Sequence, residues 1–284
     1  MKIPDFELER IQSIWEHQVD YNLTESGLHP YTLRELLDED QLDQLLSLRV
    51  GYTQTNGTIP LRQAISSQYS GAGIDNVLVT NGSAEANFIA TWLTLEPGDE
   101  LVYMLPNYMQ IWGVAQGFGV KVVPLNLHQE TGWGIDLDEL ESLVTPQTKA
   151  ISVCNPNNPT GSTLTQEARD RIVALARKSD SWLLVDEVYR GAELSGDETP
   201  SLWGNYEKTV VTGGLSKAYG LPGLRIGWLV GPKDFISQAW VRKDYTTIAP
   251  GAISDRVATF VLESGRRIQI FERNRTILKE NLSH

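Results

Sequence analysis

Lys217 and Arg225 stand eight positions apart in Gly214-Leu215-Ser216-Lys217-Ala218-Tyr219-Gly220-Leu221-Pro222-Gly223-Leu224-Arg225-Ile226-Gly227, a run otherwise dominated by glycine and aliphatic residues. A lysine ammonium is a poor nucleophile near neutrality, its ordinary pKa being about 10.4. A tight loop that strips away water and sets a second cation nearby makes the neutral amine accessible, and that amine can form a Schiff base with a carbonyl. Arginine offers a planar fork that matches phosphate. Together the two residues describe a lysine joined to an aldehyde cofactor that carries a phosphate. The plainer alternative is a solvated Lys and Arg in a glycine-rich loop.

Three further segments carry chemistry of the same kind. The apolar stretch Trp182-Leu183-Leu184-Val185 runs into Asp186-Glu187-Val188-Tyr189. A carboxylate buried at a strand end is costly unless paired, so Asp186 asks for a cationic partner; otherwise it caps a helix or joins a salt bridge. Glu187 points to the opposite side of an extended chain and is read as structural. In Asn155-Pro156-Asn157-Asn158-Pro159-Thr160-Gly161 two prolines fix a rigid turn, which suits an amide that holds a ligand atom, or a surface turn. Thr80-Asn81-Gly82-Ser83-Ala84-Glu85-Ala86-Asn87 joins a strand to a helix, and free amides at a helix N-terminus beside a small hydroxyl form a general phosphate site. Ser83 is equally an ordinary N-cap.

The elements that must position these residues alternate along the chain. Strands are predicted at Val77–Thr80, Leu101–Met104, Val120–Leu125, Lys149–Val153, Trp182–Val185 and Thr209–Thr212, with helices between them at Ser83–Leu95, Asn107–Phe118, Leu137–Val144 and Gln166–Lys178. Such alternation implies an α/β fold with a mostly parallel sheet covered on both faces. Ligands of these sheets gather at the carboxyl ends of the strands, which is where most of the motifs fall. The start of the chain reads as a helix (Glu7–Asp20), a polar loop and a second helix (Leu33–Leu48). After Gly231 three helices follow, Lys233–Arg242, Ala252–Glu263 and Arg266–Leu282.

Composition narrows the class. The 284 residues are 41% hydrophobic and 21% charged, and the net charge is −12; these values describe a globular chain and speak against nucleic acid or an anionic membrane surface as partner. The single cysteine, Cys154, permits no intrachain disulfide and reads as a small core residue in a cytoplasmic protein. No apolar run approaches the ~20 residues of a membrane span. His17, His29, His128 and His284 lack metal-ligand spacing, so no metal site is expected.

The Lys217 run fits, at every restricted position, the lysine signature of the class I/II aminotransferases, which are fold-type-I pyridoxal-phosphate (PLP) enzymes. The chain resembles that family from about residue 50 onward with good specificity and more loosely before. The resemblance implies that Lys217 holds PLP as an aldimine, is displaced by the substrate amine, and then moves the proton between the amino acid's α-carbon and C4′ of the cofactor. It assigns Asp186 to the ring nitrogen, where an anion keeps the ring a better electron sink. Tyr189 and Asn158 fall to the phenolic oxygen, with a cis Asn158–Pro159 bond. The phosphate falls to Gly82, Ser83, Ala84 and Arg225, and Ser216 is counted among the cofactor-binding residues; the family often has a serine three residues before its lysine, where this chain has Gly214.

Tyr108, in Pro106-Asn107-Tyr108 at the start of the next helix, is expected to stack on the pyridine face. Gly51-Tyr52-Thr53-Gln54-Thr55-Asn56-Gly57 resembles the segment that reaches the partner subunit's phosphate, so Tyr52 implies a homodimer with composite sites, or else anchors a domain boundary. Glu25-Ser26-Gly27 lies in the loop that covers the substrate in family members, and none of the three enters the candidate set. The implied fold is a three-layer α/β/α sandwich plus a partial small domain. Residues 1–48 would be the N-terminal segment of the small domain, 49–263 the large PLP-binding domain, and 264–284 the start of a helix leading to a C-terminal small domain.

The implied reaction is transfer of an amino group between an amino acid and a 2-keto acid. A PLP lyase or cyclase and a catalytically silent PLP-binding homologue stay open, because fold and cofactor do not fix the reaction. In the family an arginine of the C-terminal small domain clamps the substrate carboxylate, beyond residue 284. The chain alone is therefore expected to be weakly active or inactive and to expose the apolar side of its last helix (Ile268, Phe271, Ile277, Leu278).

Overall fold

The computed structural model describes residues 2–283; Met1 and His284, one of the four histidines considered above, lie outside the described residues. The first elements are α1 (Glu7–Trp15), α2 (Leu33–Leu36) and α3 (Glu39–Leu46). Two helices were expected here, and both are shorter than their composition suggests. α1 buries no residue, so extending it past Trp15 would gain no packing to offset the ordering. The second helix breaks because Asp38 starts a new one: its carboxylate accepts the Gln41 N–H at 2.9 Å while the Gln41 side chain accepts the Asp38 N–H at 3.2 Å. That capping box satisfies two orphan donors, and the bend at Leu37 lets both Leu36 and Leu37 reach the core. Next comes α4 (Ile59–Ser66), which the sequence reading did not separate from its surroundings. Thr58 caps it by accepting the Leu61 N–H, and Pro60 sits in its first turn.

The body of the chain runs β1 (Val77–Thr80), α5 (Ser83–Thr94), β2 (Glu100–Leu105), α6 (Gln110–Gly117), β3 (Lys121–Asn126), α7 (Leu137–Leu143), β4 (Thr148–Cys154), α8 (Gln166–Lys178), β5 (Trp182–Asp186), β6 (Thr209–Gly214) and β7 (Gly227–Val230). It closes with α9 (Lys233–Lys243), α10 (Ala252–Val261) and α11 (Ser264–Leu282). The seven strands form one sheet in the order β1-β7-β6-β5-β4-β2-β3. β2 to β6 pair in parallel where they meet, whereas β7 runs antiparallel to both β1 and β6. β7 was not foreseen, since four residues beginning with glycine carry little strand signal.

Strand period 2 divides the core into two apolar layers. Val79, Val102, Ile151, Val185, Val211 and Trp228 face one side, in a cluster that includes Leu61, Ile172, Val257 and Phe271 from α4, α8, α10 and α11. Leu78, Leu101, Ala150, Leu184, Val210 and Leu229 face the other, against Ile89, Ile111 and Phe235 from α5, α6 and α9. The architecture is therefore a three-layer α/β/α sandwich. One expectation is corrected: α11 does not leave Phe271 exposed. Phe271 is 2% exposed and its ring lies 4.7 Å from that of Tyr219. Ile277 and Leu278 are half-buried, and only Ile268 is open. The helix turns its Ile270-Phe271-Asn274 face onto the loop that carries Lys217, where Asn274 Nδ2 donates to the Ala218 carbonyl at 2.9 Å.

Candidate active site

The crevice lies at the carboxyl ends of β4, β5 and β6, with the β1–α5 turn beside them. Gly82 sits before α5 at φ 78°, ψ 163°, a left-handed conformation that glycine adopts without strain. A Cβ there would overlap the Arg225 guanidinium, and a Cβ at Gly227 would overlap the Gly82–Ser83 backbone. These two glycines let the arginine and the helix terminus approach one point. Ser83 is thus the first helical residue and no N-cap; no side chain caps α5. Its N–H and that of Ala84 belong to the first turn, which lacks intrahelical acceptors. The Gly82 N–H is already committed to the Thr80 carbonyl at 3.1 Å. Arg225 Nη1 donates to Pro222 O at 3.1 Å and Ser216 Oγ at 3.4 Å. At Gly214 a Cβ would lie 3.2 Å from the Ile226 carbonyl and 3.6 Å from Ser83 Cβ, so this residue packs close to the β1–α5 turn.

Asp186 ends β5, in register with Cys154 of β4 and Thr212 of β6. Its Oδ2 accepts the Asn87 amide at 3.0 Å and its Oδ1 the Val188 N–H at 3.0 Å. Burial pushes the carboxyl above its ordinary range, partly opposed by these hydrogen bonds. Among the described residues no cation lies within salt-bridge distance of it. Asn87 is 3% exposed and its Oδ1 has no partner. It was missed as a site residue, although it lies one turn after Ser83 on the same helix face.

Tyr189 and Lys217 come together through consecutive residues of the loop before α2. The Tyr189 hydroxyl lies 2.8 Å from Ser26 Oγ, and Lys217 Nζ donates to Glu25 Oε1 at 3.1 Å. Burial raises the Tyr189 hydroxyl pKa. Glu25 and Ser26 are thus brought into the crevice from a loop that sequence reasoning associated with it without selecting either. Such pairs, separated by 192 and 163 positions, leave no mark in a local pattern.

The Asn158–Pro159 bond is cis, as expected, and so are Asn155–Pro156 and Leu105–Pro106. The turn is tied to β5 by the Asn155 N–H, which donates to the Asp186 carbonyl at 2.9 Å. Asn157 braces it by donating to Pro106 O and accepting from Thr160. Asn158 is half-buried. Tyr108 precedes α6 instead of starting it: the helix begins at Gln110. The Tyr108 carbonyl accepts the Tyr103 hydroxyl at 2.7 Å, its own hydroxyl donates to Glu9, and its ring lies 4.9 Å from Phe6. Tyr52 does not join the crevice of its own chain; it is 90% exposed. Cys154 is buried and its thiol donates to Pro156 O, with burial pushing its pKa well up, which suits a structural residue.

The residues present fit a phosphorylated, cationic aromatic cofactor. The Arg225 guanidinium packs against Gly82 beside the first turn of α5, Asp186 has no cation partner among the described residues, and the buried Asn87 amide oxygen beside it is unpaired. The description "Aminotransferase class I and II" matches residues 24–284. The chain is 33% identical over 255 residues to capreomycidine synthase of Streptomyces vinaceus, covering 87% of this chain and 64% of that protein. It is 32% identical to an arginine–pyruvate transaminase of Pseudomonas aeruginosa, covering 67% and 50%. Among solved structures, a PLP-dependent aminotransferase from Streptococcus suis superposes with a TM-score of 0.93 at 32% identity, over 100% of this chain and 76% of that one. Aspartate aminotransferase from Thermus thermophilus with maleate gives 0.86 at 26% identity, over 97% and 74%. The chain spans from half to about two thirds of the length of the two curated relatives. With this fold, this crevice and these relatives, the chain belongs to the class I and II aminotransferases, whose cofactor is pyridoxal 5′-phosphate.

Proposed function

We propose that the protein transfers an amino group between an amino acid and a 2-keto acid. The observation that carries this reading is the meeting of Lys217, Asp186, Tyr189 and the Arg225–Ser83 cradle at one crevice on the carboxyl edge of the sheet. Bound pyridoxal phosphate would supply an electron sink conjugated to the substrate's α-carbon. Arg225, the Ser83 and Ala84 amides and the hydroxyls of Ser83 and Ser216 hold the phosphate. The Gly82 backbone allows the close approach but spends its own N–H on Thr80. Asp186 holds positive charge at the ring nitrogen, with Asn87 fixing its orientation. Tyr189 and Asn158 would bind the phenolic oxygen, and Tyr108 would contact the ring. Lys217 would hold the cofactor and, as general base and acid, would move the proton from the substrate α-carbon.

Assembly as a homodimer is part of the proposal. Tyr52, Val50, Leu46 and Tyr245 are exposed apolar side chains. Thr53 and Thr55 tie their segment to Pro250 and Trp240, so the two stretches make one surface that a second copy would cover. Tyr52 would then reach the partner's phosphate. Residues 49–263 serve as the cofactor domain, with 1–48 and 264–284 contributing to a small domain. No described helix is long and apolar enough to cross a membrane, and we place the protein in the cytoplasm.

The test is a half-reaction. Amino acid added without keto acid should convert bound pyridoxal phosphate to its amine form and release one equivalent of keto acid. One relative is named a synthase, so a second outcome has a meaning: repeated turnover without keto acid would assign a lyase or cyclase. Neither change, with cofactor bound, would leave a silent homologue.

A further inference from the structure

The loop between α1 and α2 reaches the crevice through two side chains, of which only Glu25 carries charge. Glu25 Oε1 lies 3.1 Å from Lys217 Nζ and accepts the Gly27 N–H at 2.6 Å. Neither member of the ion pair is enclosed, the two side chains keeping 48% and 29% exposure. Among the described residues Lys217 is the only cation within 4 Å of Glu25. The α11 arginines on this side are engaged elsewhere. Arg273 donates to the His29 carbonyl and lies over the Tyr31 ring, and Arg275 lies beside Phe271.

On the aminotransferase reading, on which this inference rests, Lys217 gives its amine to the cofactor. Glu25 then keeps the Gly27 amide and loses its cation, while remaining beside the point where the substrate's α-carbon is handled. A carboxylate so placed sorts substrates by charge: it repels a side chain ending in a second carboxylate and attracts one ending in a cation. The substrate's α-nitrogen cannot fill this role, because it must be neutral to react and takes the place Lys217 leaves. A guanidinium suits the position best, since its fork matches a carboxylate. We propose that Glu25 is a specificity-determining residue that admits amino acids with a cationic side chain, guanidino or amino, and excludes dicarboxylic ones.

The test uses the chain loaded with pyridoxal phosphate and three ligands that lack an α-amino group and so cannot react: 5-guanidinopentanoate, hexanoate and glutarate. Their dissociation constants are read by the cofactor's absorbance and by calorimetry. The guanidino acid should bind roughly tenfold more tightly than hexanoate, as for one hydrogen bond to a charged group, and glutarate should bind most weakly. Glu25→Gln should erase the difference between guanidino acid and hexanoate, Glu25→Asp should retain part of it, and Glu25→Arg should reverse the order in favour of glutarate. An unchanged order in Glu25→Gln, an equal loss for all three ligands, or no binding of the guanidino acid by the unaltered chain would each overturn the proposal. These ligands need no turnover. A charge order that follows Glu25 without any half-transamination would sink the aminotransferase reading alone, and half-transamination with a flat order would sink the role of Glu25 alone.

Discussion

At the end of β5 two neighbouring carboxylates enter different surroundings. Asp186 faces the crevice, where it has hydrogen bonds but no cation and where the Asn87 amide oxygen beside it is unpaired. Glu187 points the other way, into a network of matched charges. Its Oε1 accepts Ser201 Oγ–H at 2.7 Å and the Leu202 N–H at 3.0 Å, with Arg190 3.9 Å from its Oε2. Arg190 continues to Glu198 at 3.6 Å, and Glu198 holds Arg267 through two bonds of 2.6 Å. Arg267 Nε then donates to the hydroxyl of Tyr219, two residues beyond Lys217. One peptide step thus separates a carboxylate that faces a cation of the fold, although its Oε2 accepts no hydrogen bond, from one that has two hydrogen bonds and, among the described residues, no cation. Polar groups that the protein does not pair within itself mark where another molecule completes them.

The sharpest way to break this contrast is to remove the crevice lysine. Lys217→Ala should abolish the borohydride-reducible attachment of pyridoxal phosphate while unfolding within about 1 kcal/mol of the parent, since the crevice has little packing to lose. A retained reducible adduct in the crevice would remove Lys217 from its assigned role. Asp186→Asn should still bind the cofactor but turn over about a hundredfold more slowly, the effect of one lost charge–charge interaction of roughly 3 kcal/mol. Unchanged single-turnover rates would move Asp186 to the structural side of the comparison.

Across the strand the effects should appear in stability. Arg267→Ala leaves Glu198 half-buried without its bidentate partner and the Tyr219 hydroxyl with Gln68 alone, so a loss of about 3 kcal/mol is expected in denaturant unfolding. A change below about 1 kcal/mol would show that solvent already screens this network.

Glu187 gives the smallest effect and a pH signature. Burial pushes its carboxyl up to about 7, above the 4.5 of the unfolded chain, so between these values the folded state holds more protons. Its contribution is fully present below pH 4.5 and is lost as pH rises through 7, a fall of at most roughly 3 kcal/mol. Glu187→Gln should be flatter than the parent over that window. Asp186, also raised, adds a fall of the same sign in both proteins, so the difference between them reports Glu187 together with its repulsion from Asp186. Parallel curves would mean that Glu187 is ionised throughout.

The sequence spoke clearly where local pattern and local structure coincide. α8 occupies the residues its composition implied, and each of the first six strands overlaps its predicted run, because apolar strands bounded by polar turns carry their own period. The lysine run, the Asp186 strand end and the Asn-Pro turn were visible because their chemistry is compact in sequence. What stayed hidden depends on distant partners. β7 is a strand because β1 and β6 flank it. The break at Asp38 follows from a reciprocal cap and from two leucines that both seek the core. Glu25, Ser26 and Asn87 acquire meaning only through Lys217, Tyr189 and Asp186.

The place of β7 has a consequence for the order in which the protein is made. β1 pairs directly with β7, its Thr80 opposite Gly227, so an early strand waits for a partner synthesised about 150 residues later. Contacts of such long sequence separation form slowly. Because chains emerge N-terminus first, the turn at Gly82 leaves the ribosome long before Gly227 can press against it. The packing of Gly82 against Arg225 and Gly227 is therefore among the last features of the crevice to be completed.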